Sequence, residues 1–345
     1  MWRWDFVSFT RVSRRPQIHL SHKAPRLVQA SPFKRDCPQA VAAPESPPDL
    51  CLMVSRLPRL LWCGLCLAAL AVGAVLAGRR VPLPPTSGDA ARDLPGAAEA
   101  HLPRWKVAVW NIHSGKGRDE RRDLTRVGRE LTNFDLVGLN EVRGPTPLSN
   151  WDLQGMNQAA QLGRQLRVGW MFLPYESRFG VADFGNGLLT RTPVGGWVCV
   201  PLPSSSPSGH GNLSVLTVPA LDQPVRVLLT HVDRDRDRLP QLREVVRTFE
   251  ELAPPAILMG DLNTTAVDPL LAPLLAQEDI VNPFAGQVIT SPPGRGQIDW
   301  ILVKGLEVRD AGWQDTGASD HPLLWVELSP KSTTSGPAPL REARR

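Results

Sequence analysis

Residues 256–263 read AILMGDLN. An apolar run stops abruptly at a glycine, and an aspartate and an asparagine follow. That is the pattern of a short buried strand ending in a turn that carries polar groups. The plan recurs outward in both directions. Upstream, VRVLLTHVD (225–233) ends on His231 and Asp233, LVGLNEV (136–142) carries Glu141, and WKVAVWNIHSGKG (105–117) places Asn111 after a strand. Downstream, QIDWILV (297–303) holds Asp299, and SDHP (319–322) sets Asp320 and His321 just before a last apolar run.

Between these runs the period changes. Helical spacing predicts helices over Leu124–Leu131, Gln154–Leu166 and Leu239–Leu252, the last with Leu242, Val245, Val246 and Phe249 on one face. Strands are expected at Trp105–Trp110, Leu136–Leu139, Gly187–Thr190, Gly196–Val200, Leu213–Val218, Val225–Thr230, Ala256–Met259, Ile298–Val303 and Leu323–Leu328. Interleaved strands and helices of this kind suggest two sheets with helices outside. Each polar residue at a strand end, taken singly, is an ordinary turn former. Together they form a set, and strand ends are where a rigid scaffold presents functional groups.

The motifs WNIHSGKG, LVGLNEV, GNGLLTRTPV, LLTHVD, LMGDLNTT, QIDWILV and SDHP follow one another in an order that resembles the endonuclease/exonuclease/phosphatase superfamily. That superfamily includes pancreatic deoxyribonuclease, apurinic endonucleases, neutral sphingomyelinases and inositol-polyphosphate phosphatases. The resemblance spans nearly all of residues 104–328, and the NIHSGKG start is similar to small, often exported bacterial members. One departure is Asn140, where such sequences often carry Gln before the Glu. The resemblance implies an α/β fold: a four-layer αββα sandwich of two mixed β-sheets with helices on both outer faces.

It also implies a chemistry, hydrolysis of phosphodiester or phosphomonoester bonds. Such hydrolysis needs charge on the phosphate oxygens neutralised and a water aimed in line. A hard divalent cation, Mg²⁺ or Mn²⁺ in its place, suits this and takes oxygen ligands. Glu141 is expected as its first ligand, with Asn111 supplying a neutral oxygen beside it and Asp320 joining from the far side. No paired-Cys or His-x-x-x-His set is present, which argues against zinc. By resemblance, His321 activates or orients the attacking water and Asp299 holds its ring. Asp261 aligns the water or a second metal, and Asn263 donates to a phosphate oxygen. His231 stabilises the developing charge or protonates the leaving oxygen. His113, Tyr175 and Arg178 are candidates for substrate contact. The alternating run Arg234–Arg238 (RDRDR) reads as a solvated loop and helix entry rather than a phosphate clamp.

Composition sets the domain limits. Residues 1–80 hold 12 Lys/Arg and 4 Asp/Glu, while residues 81–345 hold 27 and 30. The basic balance therefore belongs to the N-terminal flank and the body is mildly acidic, which disfavours tight non-specific nucleic-acid binding. Residues 1–52 read as disordered or untranslated, with Met53 a second start. Residues 53–80 read as a signal peptide or transmembrane anchor, since Leu60–Ala77 carries no charge and Val75–Ala77 offers small residues for cleavage. Residues 81–103 read as a linker, 104–328 as the catalytic domain and 329–345 as a disordered tail. Only Cys199 lies in the body, so no internal disulfide is expected there. The expected picture is a monomer, exported and secreted or membrane-anchored through residues 60–77. It acts on a phosphoester that is a nucleic acid or a phospholipid or sugar phosphate. A catalytically silent, membrane-tethered binding protein is the alternative from another class.

Overall fold

The computed structural model describes residues 57–77, 79–80, 86–88, 103–144, 157–178, 181–205, 211–221, 223–291 and 294–331. The chain divides into compact units Met1–Arg59 and Leu60–Arg345, and the second holds both sheets. Residues 1–52 and the tail after Lys331 lie outside the described residues.

The first sheet has strand order β1-β5-β6-β4-β3-β14-β13 and the second β11-β12-β10-β9-β8-β7-β2. In the first, β1 is Arg79–Arg80, β3 Trp105–Asn111, β4 Leu136–Arg143, β5 Gly169–Arg178, β6 Val181–Thr190, β13 Leu306–Gln314 and β14 Leu323–Pro330. In the second, β2 is Thr86–Gly88, β7 Gly196–Pro201, β8 Asn212–Ala220, β9 Gln223–His231, β10 Ala256–Asp261, β11 Ile280–Val281 and β12 Asp299–Lys304. Helix α1 is Leu57–Ala77, α2 Leu124–Glu130, α3 Gln158–Leu166, α4 Arg238–Glu251 and α5 Leu271–Leu275.

Both sheets are mixed for one reason. Each contains one parallel pair, β3 with β4 and β9 with β10. Parallel neighbours need a long crossover, which α2 and α4 supply. The remaining pairs are antiparallel.

The apolar runs do not alternate with polar residues because both faces of the central strands are buried. Val107 and Val109 of β3 join Val227 and Leu229 of β9 and Ile257 and Met259 of β10 in the layer between the sheets. Ala108 and Trp110 turn outward onto Val127 of α2, Leu131 at its C-cap and Leu162 of α3. Leu228 and Leu258 turn outward onto Leu242, Val245 and Phe249 of α4. Three separate apolar clusters are what a four-layer sandwich requires, and burial of each such side chain contributes roughly 1.5–3 kcal/mol.

Several boundaries differ from expectation. The helix predicted from Gln154 starts at Gln158, where the Asn157 side chain accepts the Ala160 amide and caps it; residues 154–156 lie outside the described residues. Strand β5 was not anticipated, because Pro174 interrupts its sequence. Beside Pro174 it has one neighbour, β6, since β1 pairs only with Ser177 and Arg178, so a missing N–H is tolerated there. Strand β13 is an edge with a bulge and little burial, which removes its apolar signature. The stretch expected as linker contributes Thr86–Gly88, paired with β7. The Leu57–Ala77 helix has 21 residues, and Leu61, Trp62, Leu65, Leu67, Leu70 and Val72 are all exposed. Among the described residues no helix is long and apolar enough to cross a membrane.

Candidate active site

The parallel pairs decide where the polar residues meet. In the first sheet Asn111 is in register with Asn140. In the second, Asp261 is in register with His231 on one side and Asp299 on the other. Three adjacent strands thus place His231, Asp261 and Asp299 side by side, at the carboxyl ends of β9 and β10. The close pairing of β10 with β9 just before Asp261 depends on Gly260. Its φ is +148° and a Cβ there would stand 1.9 Å from the Thr230 carbonyl oxygen, so only glycine fits.

His113, Glu141, Tyr175, His231, Asp261, Asn263, Asp320 and His321 line one cleft of about 450 Å³. Asn111 and Asp299, both fully buried, lie behind that lining. The sandwich therefore brings together ten of the sequence candidates. The side chain of the remaining one, Arg178, lies outside the described residues.

His321 is the most constrained group. Its Nδ1 stands 2.8 Å from Asp299 Oδ2, its backbone N donates to Ser319 Oγ, and its carbonyl accepts the Trp110 indole N–H. Ser319 in turn donates to the Asn111 carbonyl at 2.6 Å. Burial pulls the imidazole pKa down, but the charges of Asp299, Asp261 and Asp320 outweigh it and push it up to about 10. Asp261 is raised as well, above the usual carboxylate range, through burial and then the neighbouring charge of Asp299.

Asn111 ties the sheets together. Its Nδ2 donates to Glu141 Oε1 at 3.0 Å and to Asp261 Oδ2 at 3.1 Å, while its Oδ1 accepts the His113 amide. Expected as an oxygen donor beside Glu141, it presents nitrogen there instead, because the His113 N–H claims the oxygen. Asn263 is fixed similarly. Its Nδ2 donates to the Val232 carbonyl at 2.9 Å and faces His231 Nε2, and its Oδ1 accepts from Arg295. His231 Nδ1 stands 3.2 Å from the Tyr175 hydroxyl. His113 Nδ1 meets Asp320 Oδ1 at 3.1 Å. That contact raises the His113 pKa and, against the opposing effect of burial, helps lower Asp320 to about 2.

Backbone strain gathers here. His113, Ser114, Glu141 and Asn263 all have positive φ, between 45° and 57°, and Glu141 sits where the β4–β6 register shifts. Non-glycine residues held in the left-handed region cluster at functional sites.

The donor set fits a hard divalent cation. Glu141, Asp261 and Asp320 offer carboxylate oxygens to one cleft, and buried Asp299 Oδ1 has no hydrogen-bond partner. Asp261, Asp299 and His321 have ligand atoms within 4.8 Å of one another. This tighter set excludes Glu141. Because His321 Nδ1 is engaged by Asp299, we read it as an imidazole held by a carboxylate and the cleft carboxylates as the cation donors.

Sequence reasoning missed Arg295, Glu176 and Phe184 in the lining. Arg295 sits in SPPGRGQID, a Gly/Pro-rich loop that leads directly into Asp299, which was the available signal. Asn140 proves to be no part of the lining; it is buried and bridges the sheets.

Comparison with known proteins agrees with this geometry. Residues 108–321 match the sequence profile of the Endonuclease/Exonuclease/phosphatase family. UPF0294 protein VV2535 of Vibrio vulnificus (strain YJ016) is 25% identical over 240 residues, covering 66% of this chain and 77% of that protein. The crystal structure of an endonuclease/exonuclease/phosphatase from Beutenbergia cavernae DSM 12333 superposes with a TM-score of 0.53 at 24% identity, over 66% of this chain and 72% of that one. A family protein from Leptotrichia buccalis C-1013-b gives 0.51 at 16% identity, over 66% and 100%.

Proposed function

The chain belongs to the endonuclease/exonuclease/phosphatase family, whose hydrolases act on phosphoester bonds, and from that premise we propose that it is a divalent-cation-dependent phosphodiesterase. The observation that carries the proposal is the His321–Asp299 pair at 2.8 Å, set beside Asp261 at the wall of an acidic cleft.

Glu141, Asp261 and Asp320 would hold Mg²⁺ or Mn²⁺, and Asn111 keeps the first two at a fixed separation. Held there, such a cation would supply neutralisation of charge on the phosphate oxygens. His321, its ring fixed through Nδ1, orients the water through Nε2, and would take its proton once the charge of a bound cation offsets the carboxylates that raise its pKa. Asn263 has one amide hydrogen spent on Val232 and turns the other toward His231 and the cleft, where it can donate to a phosphate oxygen. His231, braced by Tyr175, faces the developing charge or the leaving oxygen. Trp110, Ser319 and Asn140 position these groups and touch no substrate.

Two substrate classes stand in order. Nuclease-like cleavage is the first, because the motifs belong to that family. A phospholipid or sugar phosphate at a membrane surface is the second, favoured by the exposed apolar side chains of α1 and by the acidic body. On that second reading residues 60–77 tether an exported domain. The test is hydrolysis by the full chain with Mg²⁺, on supercoiled plasmid and on a phospholipid panel in parallel. Plasmid nicking that vanishes with chelator supports the first, and headgroup release without nicking supports the second. No hydrolysis of either substrate with Mg²⁺ or Mn²⁺ would sink the enzymatic reading and favour a silent binding protein.

A further inference from the structure

A second pocket, of about 360 Å³, adjoins the cleft and shares Arg234, Asn263, Arg295 and Ile298 with it. The two halves carry opposite charge. Six carboxylates line the cleft: Glu141, Glu176, Asp233, Asp235, Asp261 and Asp320. The adjoining pocket has Arg234, Arg238 and Arg295 against Asp268 alone. Asp268 is already engaged, for its Oδ2 accepts from Arg238 Nη1 at 2.6 Å and from Thr264 Oγ1 at 2.9 Å. Arg238 is thereby compensated and shapes the wall, contrary to the solvated role its run suggested.

Arg295 and Arg234 are held differently. Arg295 Nη1 reaches a neutral acceptor, Asn263 Oδ1, at a long 3.3 Å. Arg234 meets Asp235 at 3.7 Å with both side chains exposed, a contact of little worth. Guanidinium groups take phosphate directly, with two parallel N–H donors, whereas the acidic cleft accepts phosphate only through a cation. Asn263 stands on the border, its oxygen toward Arg295 and its nitrogen toward His231.

We propose that this basic pocket is a second phosphate subsite, selecting phosphodiesters that carry a further phosphate on the sugar or inositol ring that bears the scissile one. The inference rests on the phosphodiesterase reading above. A second phosphate can come from a nucleic acid or from a phosphorylated lipid headgroup, and two substrate pairs separate these sources. The first pair is thymidylyl-thymidine with and without a terminal phosphate, and the second is glycerophosphoinositol with and without a 4-phosphate. Steady-state kinetics on the full chain with Mg²⁺ should give a higher kcat/KM for the two-phosphate member of at least one pair. In Arg295→Gln and in Arg234→Gln that preference should fall roughly tenfold, the scale of a lost charge-assisted hydrogen bond, with the loss read in KM rather than in kcat. Equal kcat/KM within both pairs, or a preference that survives both substitutions, overturns the subsite while leaving the phosphodiesterase reading intact. Absence of hydrolysis on all four substrates overturns that reading, and the subsite with it.

Discussion

Asn140 Oδ1 accepts the backbone amide of Asp261 at 2.9 Å, so a side chain of one sheet holds the main chain of the other at its most functional residue. The same carboxamide donates to Asn186 Oδ1 at 2.7 Å and to the Thr230 carbonyl at 2.9 Å. All three contacts are buried, so Asn140→Ala would leave the Asp261 amide without its acceptor and take a donor from both Asn186 Oδ1 and the Thr230 carbonyl. Unpaired buried groups cost about 1–3 kcal/mol each. We expect Asn140→Ala to lower the urea-unfolding free energy by about 2–5 kcal/mol and to depress turnover in the protein that remains folded. A variant that unfolds like the parent would show that the bridge holds nothing.

His321→Ala and Asp299→Asn should each reduce kcat by about 10²–10⁴-fold, the usual range for a lost acid–base group. Asp299→Asn preserves volume and one acceptor oxygen, so its far-ultraviolet dichroism should match the parent's. Near-parental kcat in either variant removes His321 from the reaction.

A ligand that binds only the folded state raises a protein's melting temperature. Addition of Mg²⁺ should therefore raise Tm, and chelation should reverse the rise and abolish hydrolysis. Glu141→Gln should lose most of the Mg²⁺-dependent rise. If Tm ignores Mg²⁺ and Mn²⁺ alike, the cleft holds no such cation.

Gly260→Ala should fail to accumulate as folded protein. Its Cβ would fall 1.9 Å from a backbone oxygen in the next strand, and no flexible side chain can move aside. The cost, on the order of 3 kcal/mol or more, is a large part of a domain's stability. Soluble expression with a cooperative melt near the parental Tm would show that β9 and β10 can separate freely.

Asp268 gives an acid-limb prediction. Burial opposes its ionisation, yet Arg238, the Leu270 amide and Thr264 outweigh that and hold its pKa below the ordinary carboxylate value. A depressed folded pKa contributes stability that is fully present above the unfolded value, near 3.9. That contribution is lost as pH falls through the folded value. Asp268→Asn should lower stability at neutral pH and flatten the fall below about pH 4. Parallel acid-unfolding curves for parent and variant would refute the assignment.

Much of the site is legible in the sequence because the apolar runs are short and stop at polar residues. AILM ends on Asp261 and Asn263, VRVLLT on His231, WKVAVW on Asn111. A run's end marks a strand's end, and parallel pairing then gathers those ends. Elements without that contrast stayed hidden. Strand β13 is half exposed along both faces, and β5 is interrupted by Pro174. Orientation was hidden too. Asn111 turns its nitrogen rather than its oxygen to Glu141 because a backbone amide two residues on captures the oxygen, and no spacing rule shows that. Arg295 reaches the site from a loop whose Gly and Pro residues signal a turn but not its direction.

The two-residue strand Arg79–Arg80 pairs with Ser177 and Arg178, and Tyr175, two positions along that strand from Ser177, lies in the cleft wall. At about 3.3 Å per residue, the chain leaving the apolar helix at Ala77 joins the sandwich within roughly 10 Å of its working end. If residues 60–77 tether the domain as proposed, the cleft would hang on a short leash, and only bonds standing just proud of the surface that holds the helix would come within its reach.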